Sequence, residues 1–332
     1  MKKRILALFQ AAVLLVAVSA CGAPETENTG AQAVENPTIM NMGTGDQDGS
    51  YYTFGKLLSG YMSEASGINV DVIPTDGSVE NINGINEGTY QLGLAQADVM
   101  SYAWNGIRSF AKDGEVKSFR AIGGLYEEAL QIVTLDETIQ HAGDLRGRIV
   151  SIGAEDSGVA LNAMNVLDVY GLRTGDDIHT VNLSFSDSVE AMKAGTVDAA
   201  FIVSGTPTNA IAELAAEGEV YLVNIDGEEA DELLKRYPYY NEHVILSGTY
   251  AGLDQDTKTV SIQATLMVSA DASEEDVYNM TAGIYENTES ISVILSRGVQ
   301  MSVENATTGV SVPFHSGAAK YFAEKGFNVP TE

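Results

Sequence analysis

The residues that could do chemistry here sit in glycine-rich turns and acidic pairs, and most fail the motif they suggest. Gly43-Thr44-Gly45 follows a strand-like run, but the next glycine is Gly49, one residue late for a dinucleotide turn. Asp46 and Asp48 would also set two negative charges against a pyrophosphate. Gly49 to Lys56 has five residues between its glycines where a P-loop has four, and Leu57 stands where the magnesium-binding hydroxyl belongs. As a calcium loop, Asp46-Gln47-Asp48 lacks the sharp-turn glycine, replaced by Tyr51, and the bidentate glutamate, replaced by Leu57. His141, His179, His243 and His315 fit no metal spacing, and no G-x-S-x-G elbow supports Ser157 or Ser204 as a nucleophile. No catalytic residue, metal or cofactor is expected, and the chain reads as a non-enzyme.

A different pattern recurs, in which small polar residues sit between a strand and a helix. Gly49-Ser50-Tyr51-Tyr52, Ser78, Ser157-Gly158 and Ser204-Gly205-Thr206-Pro207 each hold that place. Helix N-termini carry free N-H groups and about half a positive charge, so several converging on one cleft can hold an anion without an arginine. Each serine on its own is equally an N-cap.

The elements that must position these residues follow an alternating grammar. Thr38 to Met42 predicts a strand, and Leu57, Leu58, Tyr61, Met62 and Ala65 form a helical face. Val70 to Ile73 is a second strand, Ser78 caps a helix with Ile82 and Ile85 inward, Gly88 ends it, and Tyr90, Leu92 and Leu94 alternate as a third strand. The grammar restarts with a strand at Arg148 to Ile152 and a helix capped by Ser157, with Leu161, Met164 and Leu167 inward. Thr180 to Leu183, Val189 to Lys193, Val197 to Val203 and Ala210 to Ala216 continue it as strand, helix, strand, helix. Ser78-Val79-Glu80 before Gly88-Thr89 has an echo in Ser188-Val189-Glu190 before Gly195-Thr196. Another strand near Val260 to Val268 and a helix from Ser273 follow. These patterns predict an α/β fold of two lobes, each with a mainly parallel sheet flanked by helices. The expected division is residues 38–129 plus 253–332 for lobe 1 and 130–252 for lobe 2.

Composition sets the outer limits. With 332 residues and 45% hydrophobic content the chain can bury two cores, and 18 basic against 46 acidic residues give a net charge of -28. Such a field repels phosphate backbones and anionic lipid surfaces, so nucleic acid is not an expected partner. Lys2, Lys3 and Arg4 precede an apolar run from Ile5 to Val18 and the exit Ser19-Ala20-Cys21. That order is a secretory leader, too short to span a bilayer. Val18-Ser19-Ala20-Cys21 resembles a bacterial lipobox, which implies a lipidated Cys21, the sole cysteine, and an extracytoplasmic body held to the membrane only by its anchor. Residues 21–37 read as a flexible tether. Trp104, the sole tryptophan, reads as core packing.

Against this background the motifs resemble a known family. Gly43-Thr44-Gly45 through Ser50-Tyr51-Tyr52 is similar to the G-T-G-x-x-G-G-x-Y-Y-P start of the TAXI group of solute-binding proteins from TRAP transporters, with Asp48 and Thr53 as departures. The resemblance continues in Gly77 to Asn81, Gln96-Ala97-Asp98, Leu125-Tyr126, Asp144 to Gly153, Gly195 to Phe201, Gly205-Thr206-Pro207 and Val312 to Phe322. It implies a type II-like periplasmic-binding fold with two hinged lobes, a small carboxylate ligand such as a glutamate-like amino acid or dicarboxylate, and delivery to a TRAP permease. By position it implies one wall from Gly45, Gly49, Ser50, Tyr51, Tyr52, Ser78, Asn81, Gln96 and Asp98. Tyr126 would sit by the hinge, and Ser157, Gly158, Ser204, Gly205, Thr206 and Pro207 would form the other wall. A monomer is expected. A tethered sensor that signals ligand presence to a receptor needs the same cleft and is the competing reading.

Overall fold

Two copies of one strand-helix-strand-helix-strand unit are joined by two long strands. The computed structural model describes residues 39–295 and 301–332, so the expected leader, Cys21 and the tether lie outside the described residues. The first unit runs β1 (Ile39–Gly43), α1 (Ser50–Ser66), β2 (Asn69–Ile73), α2 (Ser78–Glu87) and β3 (Leu92–Gln96). After α3 (Ala97–Trp104) the chain enters β4 (Phe119–Thr134). The second unit runs β5 (Ile149–Ser151), α4 (Gly158–Val169), β6 (His179–Val181), α5 (Phe185–Lys193) and β7 (Ala199–Ser204). There follow α6 (Asn209–Glu217), β8 (Tyr221–Val223), α7 (Gly227–Arg236), β9 (Tyr240–Ile245) and β10 (Thr257–Ser269). The C-terminal helices are α8 (Glu274–Tyr285), α9 (Thr288–Leu295), α10 (Val303–Ala306) and α11 (Ser316–Glu324).

The strands lie in the order β2-β1-β3-β10-β4-β7-β5-β6, with β8 added on β4 and β9 on β10. Within each unit pairing is parallel, as a helical crossover requires, whereas β10 is antiparallel to β3 and β4, and β4 to β7. The architecture is mixed α/β, a large sheet flanked by helices. Three apolar clusters fill it. One draws on residues from Met40 to Tyr126 and from Ala264 to Phe322, and the other two on residues between Ala129 and Ile262. Clusters therefore change hands along β4 between Tyr126 and Ala129 and along β10 between Ile262 and Ala264.

Local details correct several expectations. The buried stripe of α1 is Tyr51, Phe54, Gly55, Leu58 and Met62, one helical face on which neighbours recur three or four residues apart, so Leu57 and Tyr61 are half-buried and Ala65 is exposed. In α4 the buried apolar side chains are Val159, Ala160, Ala163, Val166 and Leu167, which leaves Leu161 half-buried and Met164 exposed. Ser157 caps α4 as expected, accepting from the Ala160 N-H at 3.1 Å. Ser78 does not cap α2. It is the first helical residue after Gly77, and its hydroxyl accepts from the Gln96 N-H at 3.1 Å. Gly88 ends α2 at φ 81, a left-handed conformation that favours glycine.

Candidate functional site

The carboxyl end of β7 and the N-termini of α1, α2 and α4 meet around one small cavity. Ser50 opens α1 and donates its N-H to Ser204 Oγ at 3.0 Å, while the Ser204 hydroxyl donates to Ser50 Oγ at 2.9 Å. Ser78 and Gly77 come from the start of α2, and Ser157 and Gly158 from the start of α4. Gln96 at the end of β3 and Glu128 in β4 complete the lining. The space measures about 50 Å³, room for one or two waters at roughly 30 Å³ each. Bonds across the cleft hold its walls together. The Phe185 N-H donates to Asp46 Oδ2 at 3.0 Å, the Ser186 hydroxyl to Asp48 Oδ2 at 2.7 Å, and the Glu80 N-H to the Asp156 carbonyl at 3.3 Å.

The electrostatics of this cavity are acidic. Glu128 is 2% exposed and accepts from the Tyr51 hydroxyl at 2.9 Å. Burial raises its pKa to about 8; the hydrogen bonds of Tyr51 and Gln96 oppose the rise and the Asp98 carboxyl adds to it. Asp46 and Asp76 line the same space, and burial, then Glu80, Asp156 and Asp46, raise the Asp76 pKa. Lysine, arginine and histidine are missing from the lining. Gln96 is 2% exposed, and its Oε1 has no hydrogen-bond partner. A glutamic acid whose pKa burial raises, an unpartnered carbonyl and several helix N-termini therefore come together here, a set that can recognise a small polar molecule. Among the described residues no group of three His, Cys, Asp or Glu side chains could hold a metal ion.

Nine of the sixteen residues expected at the site line this cavity: Gly45, Gly49, Ser50, Tyr51, Ser78, Gln96, Ser157, Gly158 and Ser204. The other seven lie elsewhere. Tyr126, Gly205, Thr206 and Pro207 line a larger groove of about 1000 Å³ that also touches Glu127, His243 and Gln263. Tyr126 stacks on Phe54 with ring centroids 4.1 Å apart. Tyr52 carries the Lys56 ammonium 5.3 Å from its ring. Asn81 is wholly buried and bonded within the first unit, donating to the carbonyls of Thr44 and Leu94 at 2.7 Å and accepting from Thr75 at 2.8 Å. Its carboxamide ties β1, β3 and the turn before α2 together, which leaves it nothing to offer a ligand.

Asp98 belongs to a separate buried network. Its Oδ2 accepts from Asn162 Nδ2 at 2.9 Å, which also reaches the Tyr240 hydroxyl at 2.9 Å. Asn165 Nδ2 donates to the same hydroxyl at 3.1 Å, and Arg108 reaches Asn165 Oδ1 and the Tyr237 hydroxyl at 3.3 Å each. Burial lifts Asp98 to about 7, against the opposing bonds from Val99 and Asn162 and the charge of Arg108. Sequence reasoning missed Glu128, Asp46, Asp76 and Phe185 at the cavity. The two-residue period of a strand does place Glu128 on the face of Tyr126 and Leu130, and that alternation was the available signal.

Residues 42–326 match the model of the NMT1-like family. Among solved structures, a protein of Bordetella bronchiseptica RB50 superposes with a TM-score of 0.51 at 12% identity, covering 89% of this chain and 84% of that one. The alkanesulfonate-binding protein of Xanthomonas axonopodis pv. citri, bound to MOPS, gives 0.47 at 14% identity over 87% and 84% of the two chains. The periplasmic aliphatic sulphonate binding protein of Escherichia coli gives 0.43 at 13% identity over 87% and 84%.

Proposed function

The chain belongs to the NMT1-like family, and from that premise we propose that it is an extracytoplasmic solute-binding protein that captures a small carboxylate-bearing solute and delivers it to a TRAP-type membrane permease. The observation that carries this reading is the cavity itself, walled by the starts of α1 and α2 on one side and by α4 and the end of β7 on the other. Ligands of open α/β sheets bind at such strand ends. The two walls are the two lobes, residues 38–129 with 253–332 and residues 130–252, and β4 and β10 are the hinge that passes between them. Helix N-terminal N-H groups supply the carboxylate's donors, joined by the hydroxyls of Ser50, Ser157 and Ser204 once these turn away from the Gly205 carbonyl, the Ala154 carbonyl and Ser50 Oγ, the acceptors they now serve. At about 50 Å³ the cavity is far below the roughly 300–1,000 Å³ typical of ligand sites, so loading requires the lobes to swing apart. A lipidated Cys21 and the tether keep the monomeric body at the membrane.

The test is mass spectrometry of small molecules released by denaturing the freshly purified mature protein. A carboxylate should be released unchanged, and adding it back at one hundred times its dissociation constant should stabilise the fold by about 2.7 kcal/mol. Release of no solute, or conversion of the added solute to a product, overturns the reading.

A further inference from the structure

The cavity holds more acceptor capacity than a carboxylate can use. Asp46, Asp76 and Glu128 bring three carboxyl groups to its lining without a basic side chain among them. Asp46 is already engaged, accepting from the N-H groups of Asp48 and Phe185. Gln96 is different. Its N-H is spent on Ser78 Oγ, its side chain bonds Glu128, and its Oε1 is buried without a donor. That oxygen is turned toward the start of α4, where a Cβ on Gly158 would overlap it. An unmet buried acceptor has lost its water and gained nothing in return, a penalty that a donor arriving from outside relieves.

We propose that the solute carries a protonated amine as well as its carboxylate, with the ammonium seated between Gln96 Oε1 and the Glu128 carboxyl, and that its net charge is zero or positive. The inference rests on the reading of this cavity as the solute site. It departs from both ligand classes that the family resemblance implies, because a glutamate-like amino acid, like a dicarboxylate, is a net anion. A dicarboxylate would bring two negative charges to a lining of three carboxyl groups and would leave Gln96 Oε1 without a donor. An amino acid with a neutral or basic side chain sets its carboxylate against the helix N-termini and its ammonium against the acceptors.

Protons report on this arrangement. The groups facing Glu128 are Tyr51 from α1, Tyr126 from β4 itself, Gln96 from β3 and Asp98 from α3, with Asp46 and Asp76 across the cavity. With a pKa of about 8 the carboxyl is mostly protonated at pH 7, and an ammonium beside it favours the ionised form. Binding therefore releases a proton from Glu128 to the buffer.

The experiment takes the solute released from the mature protein and treats it with dansyl chloride before mass spectrometry. A dansyl adduct is expected. An unreactive carboxylate overturns this inference and leaves the solute-binding reading standing, whereas release of no solute overturns both. Titration calorimetry of the same solute at pH 7, in buffers of different ionisation enthalpy, should show release of close to one proton. Glu128→Gln, which keeps the side-chain shape, should abolish that release and weaken binding about tenfold or more. Unchanged affinity, or proton uptake on binding, overturns the assignment of the ammonium to Glu128.

Discussion

Two buried polar regions connect the first unit of the molecule to the second, and they are built on opposite principles. In the Asp98 region the protein supplies donors to its own acid: the carboxylate meets Asn162 and the Val99 N-H, and Tyr240 accepts from two asparagines. Arg108 lies over the rings of Tyr102 and Tyr237, with its guanidinium carbon 5.7 and 5.6 Å from their centroids, and it alone among the described non-glycine residues has positive φ, at 56. Asn162 Oδ1 and the Tyr102 hydroxyl are the unmatched atoms there. In the Glu128 region the acid meets a tyrosine and an amide, no lysine, arginine or histidine lines the cavity, and Gln96 Oε1 is buried against Gly158 without a donor. The difference separates two jobs at one interface. A network that donates to itself holds the units together, while one that leaves acceptors facing a cavity is suited to receive a guest.

The sharpest way to break this comparison is to spoil the cavity and spare the network. Gly158 begins α4, and an alanine there would drive its Cβ into Gln96 Oε1, to within 2.7 Å of Gln96 Cδ and 3.0 Å of Ser78 Oγ. Alanine suits a helix, so the element itself should survive. Gly158→Ala is expected to cut affinity for the released solute by about a hundredfold, on the scale of 3 kcal/mol, with little change in melting temperature. Calorimetric titration beside thermal unfolding checks it, and an affinity within threefold of the parent would show that α4 does not close on Gln96 when the site fills.

The converse change spoils the network and spares the cavity. Tyr240→Phe removes the hydroxyl that accepts from Asn162 and Asn165, stranding one N-H of each in a buried setting. At about 1–3 kcal/mol per stranded donor, a loss of stability of about 2–4 kcal/mol is expected, read as a lower denaturant midpoint at unchanged slope. Solute affinity should shift by less than tenfold. A variant as stable as the parent would mean that the asparagines find other acceptors and that the network is not what joins the units.

How much of this was legible beforehand divides along the same line. Periodicity and cap residues located the two parallel units, because helical crossovers write themselves as glycine-punctuated apolar runs, and the Ser157 cap was found where Ser, Gly and a helical stripe coincide. The long strand β4 escaped the element reading. Its Gly123 and Gly124 give way to Tyr285 and Gln263 packed above them, and Glu128 is buried beside an exposed Glu127. Gly49, Ser50, Tyr51, Ser78, Ser157, Gly158 and Ser204 were legible as residues set between a strand and a helix, whereas Gly45 and Gln96 came only from the family resemblance. Asn81 and Asp98 share those stretches but turn away into bonds with Thr44, Leu94 and Asn162, partners that local spacing does not reveal.

The two acids also differ in where their titration should appear, which gives the smallest and most discriminating test. Burial raises both, Asp98 from 3.8 to about 7 and Glu128 from 4.5 to about 8, because each carboxylate is costlier to hold in the folded chain than in water. Between the unfolded and folded values the native state binds the extra proton, so each group makes stability fall as pH rises, from about 4 through 7 for Asp98 and from about 4.5 through 8 for Glu128. Below those windows both states are protonated and the effect vanishes. His315 acts in the other direction. Burial lowers its pKa below 6.5, so the unfolded chain takes up its proton first and stability falls as pH drops. The difference between variant and parent isolates the acids from that background. Urea unfolding at half-unit steps from pH 5 to 9 should show Asp98→Asn gaining on the parent up to about pH 7 and then running parallel to it. Glu128→Gln should go on gaining to about pH 8. Saturating solute should erase the Glu128 difference, because the ammonium stabilises the ionised carboxylate, and should leave the Asp98 difference in place. If solute instead changes both differences equally, the two regions respond as one site and the division drawn between them fails.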